Sequence, residues 1–553
     1  MKTNWRQEWK SAQPAERTAF VLIAVASLLN VLLGLLNYPV IGHDAYGHLN
    51  YLDQFTRLTT QGILYPRWLP DSFGGFGAPT FYFYAPLVYW VASVFHGFGI
   101  SSASALYQCV QLFFSFLSIA TSFLLLRQLG GNRIRALSGA LLFSFLTYRF
   151  CDVYVRDALT EHAALAFFPI VFLRFPDRLR SIAAYAFGWT GLFLTNLPIA
   201  YIAFISVLVV VFARRSYREF PLQALSIVIA IATSAIYLFP AFALRGLIHQ
   251  RHLFDLPMHA SQFGFALLDL FEGHFDWLRI LSIATILAGA MCFVVILKNS
   301  DVESRGWKWL IAVAIFFQIP FISAPLWHLI PGMPFVQFSW RWNGLLLLAI
   351  GAILAKDKTN ITNCILIGLA LITILSELTL SRNLFLRPQL PINSFRMDAP
   401  EYAPKWTSND PSEVLGITLR RMSDPPIVML GLTMPDDTIA LQSKSPIEWN
   451  FSVRLQRTTP VRLHQFYWPY WKLYKDSTEI PLAPDPNGFA SAELPAGQYL
   501  IALTLEKSKS ETTGFFTSIF GLSILTILLG FSCYRSITNR REITSPPEEA
   551  RNI

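Results

Sequence analysis

The chain is 553 residues long, 53% hydrophobic and only 14% charged, with a formal net charge of +9. A soluble domain carries about a quarter charged residues, so composition excludes an ordinary soluble enzyme and points to a polytopic α-helical membrane protein. The positive charge sits in short clusters beside apolar stretches, as in loops held on the cytoplasmic side of a membrane, and no nucleic-acid partner is expected.

Taken in chain order, apolar runs near 18–38, 103–126, 136–153, 160–174, 181–196, 198–213, 221–243, 276–297, 309–323, 342–355, 361–380 and 514–534 predict about 12 spans. The first run is long for a signal-peptide core and no small-residue cleavage site follows it, so it reads as a retained span. The basic clusters are Lys2/Arg6/Lys10/Arg17, Arg127/Arg133/Arg135, Arg174/Arg178/Arg180, Arg214/Arg215/Arg218, Lys298/Arg305/Lys308, Lys356/Lys358 and Arg535/Arg540/Arg541/Arg551. Loops rich in Lys and Arg stay in the cytoplasm, which places both termini there. Residues 1–17 and the basic tail 535–553 are then cytoplasmic, and 18–380 forms the transmembrane domain.

The outer side receives 39–102, the turn at 150–161, the segment 244–275, and the stretch from 323 that ends in Gln337 to Trp342. Segment 79–99 is apolar and rich in Tyr. Counting it as a thirteenth span would put Arg127, Arg133 and Arg135 outside, so it reads as an outer-surface or re-entrant helix. Residues 381–512 differ in composition, being rich in Pro, Thr, Asp and Lys. Alternating runs such as VRLHQFYW and QYLIALTLE, bounded by turn residues, predict short antiparallel strands: a small extracytoplasmic β-sandwich before a last span at 513–534. The five cysteines, Cys109, Cys151, Cys292, Cys364 and Cys533, all lie within or beside apolar runs. The β-rich segment therefore folds without disulfides, and no cysteine spacing suits a metal.

The densest group of reactive side chains is Ile41-Gly-His-Asp-Ala-Tyr-Gly-His-Leu-Asn-Tyr-Leu-Asp53, just beyond the first span. Asp44 suits a helix N-terminus. His48 at i+4 and Tyr51 at i+7 then share its face, whereas Asp53 points away. Asp44, His48 and His43 form a candidate acid/base cluster; an N-cap aspartate with two solvated histidines is the plain alternative. Arg156, Asp157 and Glu161 lie at the outer mouth of two spans, where an Arg156–Glu161 ion pair pinning two helices competes with a functional role. Arg341 between Trp340 and Trp342 is either an interfacial anchor or an anion ligand. His249, His252, His259 and His274 lack zinc spacing and read as solvated loop residues. The GGFGAP run at 74–79 lacks the Lys-Ser/Thr of a phosphate loop and reads as a tight turn. Tyr82, Tyr84, Tyr89 and Trp90 line either a sugar or lipid groove or the membrane interface.

The run GHDAYGHL followed by GILYPRWLPDSFGGFGAPTFYFYAPLVYW resembles the first outer loop of bacterial YfhO-like membrane proteins, also called 6-pyruvoyl-tetrahydropterin synthase-related, of the GT-C glycosyltransferase superfamily. VRDALTEHAALAFFPIVF, FVQFSWRWNG and HQFYWPYWKLYKDSTEIPL are similar to further segments of that group, in the same order. The resemblance implies a bacterial inner-membrane GT-C-like fold with its active site on the outer face. It implies transfer of a sugar from a polyprenyl-phosphate donor to a glycan, lipid or protein acceptor. Asp44 would serve as catalytic base or acceptor-orienting carboxylate, and His43, His48, Arg67, Arg156, Glu161, Arg341 and Tyr84 would bind substrate. Many GT-C enzymes carry two acidic residues in this loop; a single Asp flanked by histidines gives no support to a divalent metal, and no cofactor is expected. A transporter or flippase for lipid-linked saccharides, or a non-catalytic assembly factor, is the alternative. Transporters usually carry ionisable groups at the midplane in broken helices, whereas here they gather at the outer ends of the runs. The aromatic run Phe466, Tyr467, Trp468, Tyr470 and Trp471 suits glycan stacking or a sandwich core equally.

Overall fold

In a computed structural model of the chain, the described residues are 5–36, 42, 44–249, 277–297, 302–357, 359–385, 398–430 and 434–544. The long helices are α1 (Trp5–Ser11), α2 (Pro14–Leu36), α3 (Ala45–Thr60), α4 (Leu87–Gly97), α5 (Ala103–Gln128), α6 (Arg133–Phe145), α7 (Tyr148–Tyr154), α8 (Leu159–Phe167) and α9 (Arg178–Thr195). They continue as α10 (Leu197–Arg214), α11 (Phe220–Thr233), α12 (Ala235–Leu244), α13 (Trp277–Ile296), α14 (Val302–Phe317), α15 (Pro320–Leu329), α16 (Trp342–Lys356), α17 (Asn360–Phe385), α18 (Pro411–Arg421) and α19 (Lys509–Thr544). Local chemistry sets several starts. The Asn132, Asp177 and Asn196 side chains accept backbone N–H groups of Arg135, Leu179 and Ile199, satisfying helix N-termini that have no intrahelical partner.

Among the described residues, six helices are long and apolar enough to cross a membrane, and two bent pairs raise this to eight. The run expected at 221–243 is one bent pair, broken at Ser234, with an angle of 78° between its halves. The run expected at 309–323 is the other, bent by 96°. The run expected at 160–174 forms only α8 and a 3₁₀ turn, Phe168–Phe172, all buried. Helix α4 has 11 residues and so extends about 16 Å at 1.5 Å per residue. That is about half a bilayer core.

The basic clusters meet at one end of the bundle. Arg135 lies 3.3 Å from Glu16 and donates to the Leu354 carbonyl. Arg174 pairs with Glu219 at 2.8 Å, Arg535 with Asp177 at 3.4 Å, and Lys356 donates to Ser304 at 3.4 Å.

The opposite end carries the β-rich domain, with β1 (Ile427–Met429), β2 (Thr438–Lys444), β3 (Glu448–Leu455), β4 (Thr459–Phe466), β5 (Trp471–Lys475), β6 (Thr478–Ile480), β7 (Ala483–Pro484), β8 (Phe489–Leu494) and β9 (Gly497–Leu505). They form two antiparallel sheets, ordered β1-β4-β8-β7 and β2-β3-β9-β5-β6. Successive strand side chains face opposite ways. Trp449, Phe451 and Val453 of β3 and Ile501 and Leu503 of β9 therefore point inward, against Val461 and Leu463 of the other sheet.

This core continues into the segment between α3 and α4. Trp68 and Tyr82 pack with Trp468 and Trp471, and the Phe466 N–H donates to the Phe76 carbonyl at 2.8 Å. Phe466, Trp468 and Trp471 are thus buried in the seam between loop and sandwich, which removes them as an exposed glycan platform. His249 is buried as well, its Nε2 3.1 Å from both the carbonyl and the hydroxyl of Thr407. That corrects its reading as a solvated loop residue. His252, His259 and His274 lie outside the described residues.

Candidate active site

Helix α3 begins where the sequence placed it, with Asp44 at its N-cap. Its apolar and aromatic positions recur at helical spacing, so His48, Leu49, Tyr51, Leu52, Phe55 and Leu58 are buried while Asp53 is exposed. The Asp44 side chain makes no capping bond and is exposed, but its backbone is held: its N–H donates to the Arg156 carbonyl at 2.9 Å.

His48 is not a solvated histidine. It is 3% exposed, and its Nδ1 lies 2.8 Å from the Tyr89 hydroxyl. Burial lowers its pKa to about 4, with the nearby Asp44 carboxylate opposing the shift. At neutral pH it is therefore an uncharged hydrogen-bonding group. Tyr84 sits among Tyr51, Tyr89, His48 and Tyr402, with ring centroids 5.8 to 6.1 Å away. Its hydroxyl lies 3.1 Å from Thr160 Oγ1.

The α7–α8 turn and the start of α16 bring Arg156, Glu161 and Arg341 together. Arg156 Nη1 donates to Glu161 Oε2 and Asp152 Oδ1, both at 3.0 Å, and to the Tyr148 hydroxyl at 2.9 Å. Arg341 Nε donates to the same Glu161 oxygen at 2.9 Å, and its Nη1 to the Val336 carbonyl and Gln337 Oε1. Tyr148 donates to the other Glu161 oxygen. The expected Arg156–Glu161 pair is present, and Arg341, 180 residues away in sequence, joins it. Arg341 is 7% exposed and so is not an interfacial anchor; Phe338 stacks on Trp340 with centroids 4.6 Å apart and lies beneath both guanidiniums. Arg149 also lies 3.9 Å from Asp152, so three buried guanidiniums face two carboxylates. The bonds to Glu161 occupy Arg156 Nη1 and Arg341 Nε. Among the described residues neither Nη2 group has a hydrogen-bond partner.

Of the residues read from the sequence, Asp44, His48, Tyr84, Arg156, Glu161 and Arg341 come together at the end of the bundle that carries the β-rich domain. Arg67 goes elsewhere. Its Nε lies 2.9 Å from Glu511, its Nη2 donates to the Ile236 carbonyl, and its guanidinium lies 4.0 Å over Tyr65. It ties the segment between α3 and α4 to α12 and α19. His43 lies outside the described residues. Among the described residues, no group of three or more His, Cys, Asp or Glu side chains is placed to hold a metal.

Sequence reasoning passed over the turn Pro400–Tyr402. Tyr402 is buried against Tyr84, and Glu401 is half-buried within electrostatic reach of both Asp44 and Tyr84. Burial raises the Glu401 carboxyl above its usual range, and Asp44 raises it further. The nearby Asp398 accepts from the Phe73 N–H at 2.5 Å and from Asn50 at 3.3 Å. Nothing in the local pattern of 398–402 signals this placement, because its partners lie more than 300 residues away.

No family model matches this chain. No curated protein is similar to it at a significant level. Structural comparison finds the cryo-EM structure of the arabinofuranosyltransferase AftD from mycobacteria, with a TM-score of 0.44 and 16% sequence identity over 68% of this chain. The matched part is 27% of that protein, so this chain spans well under half of its length, and a likeness this slight assigns no activity.

Proposed function

We propose that this protein is a membrane glycosyltransferase of the GT-C kind, with about 12 membrane passes, acting on the outer face of a bacterial inner membrane. The donor is a polyprenyl-phosphate sugar and the acceptor an extracytoplasmic hydroxyl on a glycan, lipid or protein. The observation that carries the reading is an exposed carboxylate, Asp44, whose backbone is fixed to Arg156 in the same cluster that holds Arg341.

In this mechanism the acceptor hydroxyl gives its proton to Asp44 as its oxygen bonds the anomeric carbon. A positioned general base contributes about 10²–10⁴-fold. The bond from the anomeric carbon to the phosphate oxygen breaks, and the lipid phosphate leaves with the electron pair. Its growing negative charge is met by Arg156 and Arg341, whose planar forks match phosphate oxygens. Glu161 keeps both guanidiniums in place between turnovers. Neutral His48 and Tyr84 offer hydrogen bonds to sugar hydroxyls without adding charge. Glu401 and Tyr402, beside Asp44 and Tyr84, are further candidates to meet the acceptor.

The test is transfer from a polyprenyl-phosphate sugar in proteoliposomes, comparing wild type with Asp44→Asn. The expected result is a loss of about 10²–10⁴-fold with an unchanged melting temperature, since the side chain is exposed. Full activity in the variant overturns the assignment.

A further inference from the structure

The α7–α8 turn carries a residue that the proposed mechanism leaves idle. Asp157 is 2% exposed and has φ of +54°, a left-handed conformation that costs a residue with a side chain about 1 kcal/mol or more. Strain of this kind persists only where surrounding contacts dictate it. The contacts here lead to Asp44. Asp157 Oδ2 accepts the Gly42 N–H at 2.5 Å, and its Oδ1 accepts from the Tyr107 hydroxyl at 3.1 Å. One residue earlier, the Arg156 carbonyl accepts the Asp44 N–H at 2.9 Å. Consecutive residues of the turn thus hold alternate amides of the segment leading into α3. The fit admits no side chain at position 42: a Cβ there would stand 2.4 Å from Asp157 Oδ2 and 2.7 Å from the Val155 carbonyl.

We propose that Asp157 is the positioning residue for Asp44, fixing through Gly42 the backbone from which the exposed carboxylate projects. This rests on the role given to Asp44 above. An exposed carboxylate without a capping bond has nothing but its backbone to set its direction. A base must come within about 3 Å of the proton it takes, and a misplacement near 1 Å can cost about 10²-fold. The competing account is that Asp157 merely stitches the turn to α5 through Tyr107.

Three single variants of the full-length protein separate these accounts. Asp157→Gly keeps the left-handed backbone without strain but removes the carboxylate. Asp157→Asn keeps two polar atoms and tolerates the same φ. Gly42→Ala pushes the two segments apart from the other side. Hydrogen exchange is read on peptides covering 42–48, and transfer kinetics with a polyprenyl-phosphate sugar as probe. Exchange at the 42 and 44 amides is expected to rise about tenfold or more in Asp157→Gly and Gly42→Ala, and to stay near wild type in Asp157→Asn. kcat is expected to fall about 10²-fold in the first two, with donor KM unchanged and partial rescue in Asp157→Asn. The double variant Asp44→Asn/Asp157→Gly should be no slower than Asp44→Asn alone, because residues acting as a unit are not additive.

Unchanged exchange in Asp157→Gly overturns the clamp. Faster exchange with an unchanged kcat overturns its positioning role. If Asp44→Asn is fully active, or wild type transfers nothing, the enzymatic reading fails on its own, and the exchange data still decide whether Asp157 holds Asp44.

Discussion

Glu161 is one carboxylate serving two guanidiniums and a tyrosine, 1% exposed. Removing one partner of a buried charge network leaves the rest unpaired, at about 3–5 kcal/mol. Glu161→Ala should therefore lower the melting temperature of the detergent-solubilised protein sharply, and Glu161→Gln, which keeps the Tyr148 contact, less so; equal melting temperatures for all three proteins would contradict the network. His48 makes a prediction about pH. Its folded-state value of about 4 lies below the ordinary 6.5, so protonation favours the unfolded chain. Its contribution is fully present above about pH 6.5 and is lost as pH falls toward 4. Thermal melts across that window should show the decline in wild type and a weaker one in His48→Asn; identical slopes would reject it. At this scale the spacing of Asp44, His48 and Tyr51 was legible, because i, i+4 and i+7 are fixed by helix geometry. The Tyr89 partner of His48 and the Glu161 partner of Arg341 were not, since they lie 41 and 180 residues away and no local period encodes them.

Elements fit together here through positions where backbone, rather than side chain, makes the contact. In the run before the aromatic turn, Phe73, Gly74, Gly75 and Gly77 all have positive φ. The Gly-rich composition announced a tight turn; that it forms the docking face for the β-sandwich was hidden. Gly77 shows why glycine is needed: a Cβ would stand 2.3 Å from Trp68 Nε1, and Trp68 is the residue wedged against Trp468 and Trp471. With φ of +79°, Gly77→Ala should incur backbone strain of about 1–2 kcal/mol and overpacking of about 1–3 kcal/mol. The expected readout is faster protease cleavage within 398–508 and a lower melting temperature; a variant as resistant as wild type would show that the seam can yield. The strand pattern of 427–505 was readable from period-2 alternation. The breaks at Ser234 and before Pro320 were not, because apolar composition runs straight through both bends.

Over the whole molecule, the sequence-based topology is a claim about which end faces the cytoplasm. Seven clusters spread along the whole sequence were assigned to one side by charge alone, and contacts such as Arg135–Glu16, Arg174–Glu219 and Arg535–Asp177 do join segments of several at one end. Span number was less legible. Helix α16 is only 15 residues long and buried at 14 of them; with neighbours on all sides it shows no lipid-facing stripe by which sequence could separate a short span from a core helix. Sidedness can be read directly from single cysteines placed in a chain freed of its five native ones. Asp53, Ser445, Arg178 and Arg218 are all exposed. In intact spheroplasts a membrane-impermeant maleimide should label Asp53→Cys, beside the candidate site, and Ser445→Cys, in the β-sandwich. Arg178→Cys and Arg218→Cys should react only after lysis. The reverse pattern would place the exposed carboxylate of Asp44 in the cytoplasm and would overturn the proposed outer-face site together with the topology.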